Sequence, residues 1–334
     1  MKRFLLGLDI GGSKCAVALG CIGGQDQRIA LLAQARFATR DFPAPQDCLA
    51  QLCRLAAELL QEQQLGPDAL AGVGISCGGP LDSRRGLICS PPNLPGWDEV
   101  PVREFLAQHC PCSCPVYLQN DANAGALAEW HWGAGKGCRN LLFLTFGTGL
   151  GAGLILDQRL YCGSNDQAGE CGHLRLAPWG PVGYGKAGAF EGFCSGGGLA
   201  QLGQIRAREL QQLGRPPAWC PQLADLPGLS AARLAEFALQ GDAEAREIFR
   251  CGGEYLGRGL AMLVDILNPE CIVIGGIFSR AEPLLRPAME QSLRAEALPR
   301  SLSCCRIVPA ALGDKIGDYA ALAVACGDSL LPGQ

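Results

Sequence analysis

Two short glycine-rich segments, each lying between two apolar runs, most constrain the fold of this chain. The first segment is Asp9–Lys14 and the second is Thr145–Gly153. The first follows the apolar run Phe4–Leu8, the second follows Leu141–Leu144, and each leads directly into another apolar run. This order predicts a strand, a glycine turn with hydroxyl side chains and a second strand, and it occurs twice.

Such turns are suited to binding phosphate groups. Glycine has no Cβ, so backbone N–H groups can surround an anion closely, and serine and threonine hydroxyls add donors. The spacing excludes a P-loop, because Gly135-Lys136 and Gly185-Lys186 are not followed by serine or threonine. It also disfavours a dinucleotide fingerprint, because the second turn leads into the strand-like run Leu154–Leu156. For either segment alone, an ordinary hairpin turn is the alternative.

Composition restricts the class of protein. The 334 residues suffice for two domains, and 48% hydrophobic with 18% charged residues is typical of a compact globular protein. A net charge of −4 without a basic run disfavours nucleic acid as a partner. The apolar N-terminal run is interrupted at Asp9, too early for a signal peptide, and no apolar run is long enough to span a membrane. We therefore expect a cytoplasmic protein.

Strand-like and helix-like segments alternate along the chain. Strands are predicted at Phe4–Leu8, Cys15–Cys21, Ile29–Arg36, Leu70–Ser76, Val116–Gln119, Leu141–Phe146, Gly153–Leu156 and Cys271–Ile274, and helices at Gln46–Gln64, Val102–Gln108 and Asn120–Glu129. The repeated theme predicts an α/β protein of two similar lobes with a cleft between them. The lobes are expected at residues 1–118 and 119–334.

Asn120-Asp121 follows a predicted strand and begins a predicted helix. Both residue types are favoured helix N-caps, and one of them usually does only that. Between two phosphate-type turns, however, Asp121 could accept the proton of an attacking sugar hydroxyl, and Asn120 could orient the adjacent hydroxyl. Asp9 could meet Mg²⁺ through water, although it could also simply form a turn. Lys14 would place a positive charge near the transferred phosphoryl group or be a solvated strand residue.

A third polar group follows the second turn. Glu170 and His173 lie among glycines, and Glu191 follows at a distance. A lone histidine is most often a core residue with its hydrogen bonds satisfied. Here the neighbouring glycines and Glu170 favour a site that hydrogen-bonds the hydroxyls of a polyol.

Nineteen cysteines, an odd number, are scattered mostly as single residues in apolar runs. Without a secretion signal, a disulfide framework is not expected. The segment Cys110–Cys114, with three cysteines beside His109, could bind a soft metal ion. A loop of reduced thiols is favoured instead, because structural zinc sites normally have two separated ligand pairs and no second pair is evident.

Together these segments resemble the ROK family (repressor, open reading frame, kinase) of sugar kinases, with its two-lobed actin/hexokinase-like (ribonuclease H-like) ATPase fold. The matching segments follow the family's order along nearly the whole chain: Asp9–Lys14, Pro92–Trp97, Asn120–Glu129, Thr145–Gly153, Gly169–His173 and Ile272–Ser279. The resemblance implies a glucokinase-like enzyme that transfers phosphate from ATP to the 6-hydroxyl of a hexose, with glucose as the favoured sugar, and that forms a homodimer.

The resemblance also implies the roles of individual residues. Asp121 would be the catalytic base, and the sugar would contact Asn93, Asn120, Asp121, Glu170, His173 and Glu191. ATP and Mg²⁺ would be bound by Asp9, Gly11, Gly12, Ser13, Lys14, Thr145, Gly147, Thr148, Gly149, Gly275 and Gly276, with Asp9 reaching Mg²⁺ through water.

One departure from the family concerns zinc. Many members bind a structural zinc ion through the motif histidine and three cysteines, and those cysteine positions fall here on Val182, Tyr184 and Ala189. None of these side chains can be a thiolate ligand, so we expect no zinc at this site. The surrounding loop, residues 178–193, would then be held by packing that involves Trp179, Tyr184 and Phe190.

Several alternatives stay open or are disfavoured. Fructose, mannose or an N-acetylhexosamine could be the substrate, and polyphosphate could be the donor, because the residues named bind features that these sugars share. A repressor of the same family would need a DNA-binding module before Asp9, for which the chain leaves no room. A catalytically silent sugar sensor is disfavoured because Asp9, Asp121 and both glycine turns are intact.

Overall fold

The computed structural model describes residues 2–23, 28–110, 112–147 and 149–327. The chain forms two compact units: the first is Met1–Phe143, Gly153–Ala168 and Ala311–Gln334, and the second is Leu144–Ala152 and Gly169–Ala310. The first unit continues past residue 118, where the sequence predicts a lobe boundary. That boundary stays a prediction.

The described residues form fourteen strands and ten α-helices. The strands are β1 Arg3–Ile10, β2 Lys14–Gly23, β3 Arg28–Ala38, β4 Leu70–Cys77, β5 Leu81–Asp82, β6 Leu87–Ile88, β7 Val116–Asn120, β8 Leu141–Phe146, β9 Leu150–Leu156, β10 Arg159–Leu160, β11 Val182–Gly183, β12 Lys186–Ala187, β13 Cys271–Ile274 and β14 Arg306–Pro309. The helices are α1 Pro45–Glu62, α2 Val102–His109, α3 Asp121–Trp132, α4 Phe190–Cys194, α5 Gly196–Gln212, α6 Ala231–Leu239, α7 Ala243–Leu267, α8 Ile277–Glu296, α9 Pro299–Ser303 and α10 Ile316–Ala325.

Two five-stranded sheets organise the chain, with strand orders β3-β2-β1-β4-β7 and β10-β9-β8-β13-β14. In the first sheet β1 pairs antiparallel with β2 and parallel with β4. In the second, β13 pairs parallel with β14. The mixture of sheets and covering helices confirms the α/β class that the alternating pattern predicts.

Strand β1 is buried on both faces of the sheet. Its side chains point alternately to the two faces, so neighbouring residues pack against different helices. Leu6 and Leu8 belong to one hydrophobic cluster with Leu52 of α1. Leu5, on the opposite face, belongs to a second cluster with Leu322 of α10. Because side chains alternate along a strand, Asp9 points to the same face as Leu5 and therefore toward α10.

Small residues allow α10 to lie unusually close to the sheet. A Cβ on Gly74 would come within 2.2 Å of the Ala321 carbonyl oxygen, and one on Gly72 would come equally close to that of Ala325. Both glycines lie in β4 on the face that carries Ser76. The helix therefore approaches backbone to backbone, which brings its first turn beside the end of β1.

The predicted elements are largely confirmed. The strands at Leu141–Phe146 and Cys271–Ile274 have the predicted limits. The helix predicted from Asn120 begins one residue later and extends to Trp132, with Asn120 as its N-cap. The stretch 77–97, where the sequence predicts neither strand nor helix, contains the small hairpin β5–β6.

No helix in the described part of the chain combines the length and apolarity that a bilayer-spanning segment needs. The cytoplasmic location and the homodimer stay predictions from the sequence.

Candidate active site

The first glycine turn is stabilised by a hydrogen bond within the turn and by another from Thr39. The Gly11 N–H donates to the Lys14 carbonyl at 3.1 Å, and the Thr39 hydroxyl donates to the Gly11 carbonyl at 2.6 Å. A Cβ on Gly12 would lie 2.4 Å from the carbonyl oxygen of Asn93, so only glycine permits this approach. The turn thereby brings Asn93 beside Gly12, while Ser13 and Lys14 are exposed.

Asp9 lies at the end of β1, in register with Ser76 of β4. Burial, followed by the negative charges of Asp121 and Asp318, raises the pKa of Asp9 to about 6, against the opposing effects of Lys14 and Ser76. At neutral pH the carboxylate is therefore ionised at a cost in free energy. A bound cation would reduce that cost.

Asp318, which the sequence analysis did not select, completes this acidic group. It lies in the first turn of α10 with 3% of its surface exposed, and its Oδ2 pairs with Arg36 Nη2 at 2.6 Å. The only sequence signal is one carboxylate in an otherwise apolar helix. Its partner is 282 positions away, so no local pattern could identify the pair.

The described residues contain no group of three or more histidine, cysteine or acidic side chains that could hold a metal ion. Magnesium does not require such a cage, since it usually keeps several waters and binds one or two carboxylates together with substrate phosphates. Asp9, with its raised pKa and its acidic neighbours, is chemically compatible with that mode of binding.

Asn120 and Asp121 begin α3. Asn120 Oδ1 accepts hydrogen bonds from the N–H groups of Ala122 at 2.8 Å and Asn123 at 3.4 Å. Asn120 is thus an N-cap, as its type suggests, and the cap fixes the orientation of its side-chain amide. Asp121 Oδ1 accepts from the Ala122 N–H at 2.8 Å, and the residue is exposed. A carboxylate held in this way, yet open to solvent, can take up a proton from a bound molecule.

In the second unit, the Gly147 N–H donates to the Gly149 carbonyl at 3.1 Å, and the Gly196 N–H donates to the Gly147 carbonyl at 2.9 Å. The first helical turn of α5 therefore adjoins the glycine turn. Thr145 is half-buried in β8. Thr148 lies outside the described residues.

Glu191 is directly attached to this second turn. Its Oε2 accepts a hydrogen bond from the Leu150 N–H at 2.9 Å and would lie 2.6 Å from a Cβ on Gly149. The sequence connects Glu191 only with the sugar. The structure adds a second contact, through which this carboxylate fixes the end of the glycine turn.

Gly275 and Gly276 connect β13 to α8. The Gly275 N–H donates to the Leu144 carbonyl at 2.8 Å. Gly276 has a φ of 66°, and a Cβ there would lie 1.9 Å from the Phe146 carbonyl oxygen. Any other residue would push β13 away from β8, so glycine is required at this position. Gly276 also lies at the N-terminus of α8, and helix N-termini favour anions.

His173 ends a short 3₁₀ helix, Cys171–His173, whose N-cap is the exposed Glu170. The ring of Tyr184 meets the His173 ring edge to face, with centroids 5.1 Å apart and planes at 81°. Lys186 Nζ donates to the His173 carbonyl at 2.7 Å. Tyr184 and Lys186 thus support this histidine in the described structure.

The three positions that correspond to zinc ligands in the family have ordinary structural environments. Val182 lies in β11, Tyr184 follows it with a φ of 42°, and Ala189 is the buried N-cap of α4. The packing expected for this loop is only partly correct: Phe190 is fully buried, but 78% of Trp179 is exposed. Trp179 therefore contributes little to holding the loop, while the absence of zinc stays a prediction.

Cys110, Cys112 and Cys114 are free thiols, and Cys110 shares hydrogen bonds with the thiols of Cys53 and Cys112. His109 does not join them, because its ring stacks on Phe105 with centroids 4.3 Å apart.

Comparison with known proteins gives these residues a context. The model of the ROK family matches residues 5–327. A glucokinase from Halalkalibacterium halodurans is 31% identical over 94% of this chain and 92% of its own length. The DNA-binding transcriptional repressor Mlc of Escherichia coli is also 31% identical, over 70% of this chain but only 55% of its own.

Among solved structures, a ROK glucokinase from Streptomyces griseus in complex with glucose and AMPPNP matches with a TM-score of 0.72 and 28% identity. The match covers 96% of this chain and 99% of that one. The fold is therefore the actin/hexokinase-like fold of ROK sugar kinases, and the chain belongs to the ROK family.

Proposed function

We propose that this protein is an ATP-dependent hexose kinase that phosphorylates the 6-hydroxyl of glucose. The observation that carries the proposal is the first turn of α3, where the exposed carboxylate of Asp121 follows the capping residue Asn120. Asp9 of the same unit is compatible with Mg²⁺, which would join it to the phosphates of the nucleotide. The glucokinase relatives and the solved complex with glucose and AMPPNP support the same assignment.

In the proposed reaction Asp121 accepts the proton of the 6-hydroxyl as that oxygen attacks the γ-phosphate of ATP. A positioned general base of this kind typically contributes a factor of about 10² to 10⁴ in rate. Asn120 holds a neighbouring hydroxyl, because its cap leaves the amide in one orientation. The remaining sugar contacts are assigned to Asn93, Glu170, His173 and Glu191.

The nucleotide is assigned to the two glycine turns and to Gly275-Gly276. The two turns, with Gly11, Gly12, Ser13, Thr145, Gly147, Thr148 and Gly149, would hold the phosphates. The N–H groups of Gly11 and Gly147 close the turns themselves, so the phosphates would be bound by other groups of these residues. Lys14 adds a positive charge, which phosphoryl transfer requires as negative charge develops. Mg²⁺, when bound beside Asp9, would neutralise phosphate charge.

A different hexose and a different donor are the nearest alternatives. The named residues bind hydroxyls and phosphates that glucose shares with mannose, fructose or an N-acetylhexosamine, and polyphosphate could replace ATP. A sugar-sensing role is the second candidate function, because the repressor Mlc is among the relatives. The accessible carboxylate of Asp121 favours catalysis over sensing, since sensing does not require a base.

The test is the pair of variants Asp121→Asn and Asp47→Asn, each assayed for ATP-dependent phosphorylation of glucose. Asp47 is an exposed carboxylate in the first turn of α1, so it matches Asp121 in charge and helical position. We expect Asp121→Asn to lower kcat by a factor of about 10² to 10⁴ with a smaller effect on the KM for glucose. Asp47→Asn should retain activity. An Asp121→Asn variant with near-normal kcat would refute the mechanism.

A further inference from the structure

A cavity of about 510 Å³ lies in the first unit, beside the edge strand β7 of the first sheet. Its walls come from β7, α3, α10 and the segments around Arg84 and Arg159. None of its lining residues was assigned above to the sugar, the nucleotide or the metal ion. The volume is in the range of pockets that hold small organic molecules, about 300–1,000 Å³.

Three arginines from separate parts of the chain line this cavity: Arg84, Arg103 and Arg159. Arg84 precedes β6, Arg103 is in the first turn of α2, and Arg159 begins β10. Arg103 Nη2 donates to the Arg84 carbonyl at 2.7 Å, which connects the first two segments. The lining contains no aspartate, glutamate or lysine. Positive charge is therefore concentrated there without a lining carboxylate to balance it.

Several other arginines in the described part of the chain are balanced by carboxylates. Arg206, Arg250 and Arg286 each pair with two glutamates, at 2.6–3.2 Å. None of the three cavity arginines forms a side-chain ion pair in the part of the chain that the structure describes. The nearby carboxylate of Asp166 is engaged otherwise, since it accepts from the N–H and the hydroxyl of Ser83 at 2.7 and 2.9 Å.

The rest of the wall is apolar. Leu118, Trp130 and Val324 are at most 6% exposed, and Leu160 also lines the space. The indole N–H of Trp130 already donates to the Cys138 carbonyl at 2.8 Å, so the ring presents carbon to the cavity. Burial lowers the pKa of the lining residue His131 to about 4, so it adds no charge at neutral pH.

We propose that this cavity binds a small organic anion in which a phosphate or carboxylate group is attached to a ring or another apolar body. Guanidinium groups recognise phosphate and carboxylate oxygens through paired, charge-assisted hydrogen bonds. The apolar wall would bury the body of the ligand, which inorganic phosphate lacks. An uncharged ring would leave the arginines without a partner.

The test is isothermal titration calorimetry on the full chain with four probes. Phenyl phosphate and benzoate carry both a ring and an anionic group, inorganic phosphate carries only the charge, and benzyl alcohol carries only the ring. The titrations are made in saturating ADP with Mg²⁺, which keeps the proposed nucleotide site from contributing. They require no turnover, so their outcome is independent of the proposed kinase activity.

The variant pair is Arg84→Gln with Arg159→Gln, and Arg54→Gln with Arg294→Gln as the matched control. The control removes the same charge from two exposed arginines on α1 and α8. Because all four side chains are at or near the surface, thermal unfolding should show both double variants folded.

We expect at least one of the two ring-bearing anions to bind the wild type and the control equally, and the cavity variant at least tenfold more weakly. Whichever of them binds more tightly identifies the anionic group. Inorganic phosphate should bind at least tenfold more weakly than that probe, and benzyl alcohol should give no measurable heat. The proposal is overturned if neither ring-bearing anion binds, if both double variants weaken binding equally, or if the cavity variant binds as the wild type does.

Discussion

At the scale of single residues, the carboxylate of Asp9 has the most perturbed electrostatic environment among the proposed site residues. This buried carboxylate lies near the negative charges of Asp121 and Asp318, and its pKa is raised to about 6. An acid whose pKa is higher in the folded than in the unfolded protein binds more protons when folded. Its contribution to the free energy of unfolding therefore falls as pH rises from about 4 to 6. A rise of the pKa from 3.8 to about 6 corresponds to a loss of about 3 kcal/mol.

Asp9→Asn should abolish this contribution, because asparagine resembles the protonated acid in shape and charge. We expect the melting temperature of Asp9→Asn to rise relative to that of the wild type as pH increases from 4 to 7, in the absence of nucleotide and Mg²⁺. The measurement is thermal unfolding of both proteins across this range. A difference in melting temperature that does not change with pH would contradict the raised pKa.

Residue identity alone was sufficient to select Asp9, Asp121 and the glycines, because turn chemistry and helix capping are local. It was insufficient for Asp318 and for the contact of Glu191 with the second turn. Both depend on residues far away in sequence, which only folding brings close. The sequence assigns Tyr184 to the packing of its own loop, and its contact with the His173 ring likewise depends on folding.

At the scale of elements, the approach of α10 to β4 positions Asp318 and depends on residues without side chains. In Gly74→Ala the new methyl would meet the backbone of Ala321 and Ala325, which cannot move independently of the helix. We expect destabilisation of about 2 kcal/mol or more, and a melting temperature lower by about 4–8 °C.

The matched control for this substitution is Gly66→Ala. Gly66 has a φ of −77°, and no atom lies within 4 Å of the Cβ position. We expect a melting temperature equal to or slightly above that of the wild type, because alanine lowers the entropy of the unfolded chain. Equal stability of the two variants would show that the close approach of α10 is unimportant.

The loop that carries Tyr184 offers a second comparison. In Tyr184→Ala the His173 ring loses its edge-to-face partner, a contact worth about 0.5–1.5 kcal/mol. The KM for the sugar should rise by roughly 2–10-fold if that energy orients the histidine for binding. Trp179→Ala, which removes an exposed ring from the same loop, should leave KM unchanged. Equal KM values for both variants would contradict a positioning role for Tyr184.

At the scale of the whole molecule, the repeat of strand, glycine turn and strand predicts an α/β protein of two similar lobes. The structure confirms this class because apolar periodicity and turn composition are encoded locally. Which segments of the chain form each compact unit is harder to predict. The C-terminal segment that contains α10 belongs to the first unit, and the contacts responsible connect residues about three hundred positions apart.

The central claim, hexose phosphorylation, is tested most directly by a coupled kinase assay of the purified protein. Glucose, mannose, fructose and N-acetylhexosamines are each offered with ATP or polyphosphate, in the presence of Mg²⁺. We predict formation of a hexose 6-phosphate that is fastest with glucose and ATP and nearly absent in Asp121→Asn. Failure to phosphorylate any of these sugars with either donor would contradict the account and favour a sugar-sensing protein.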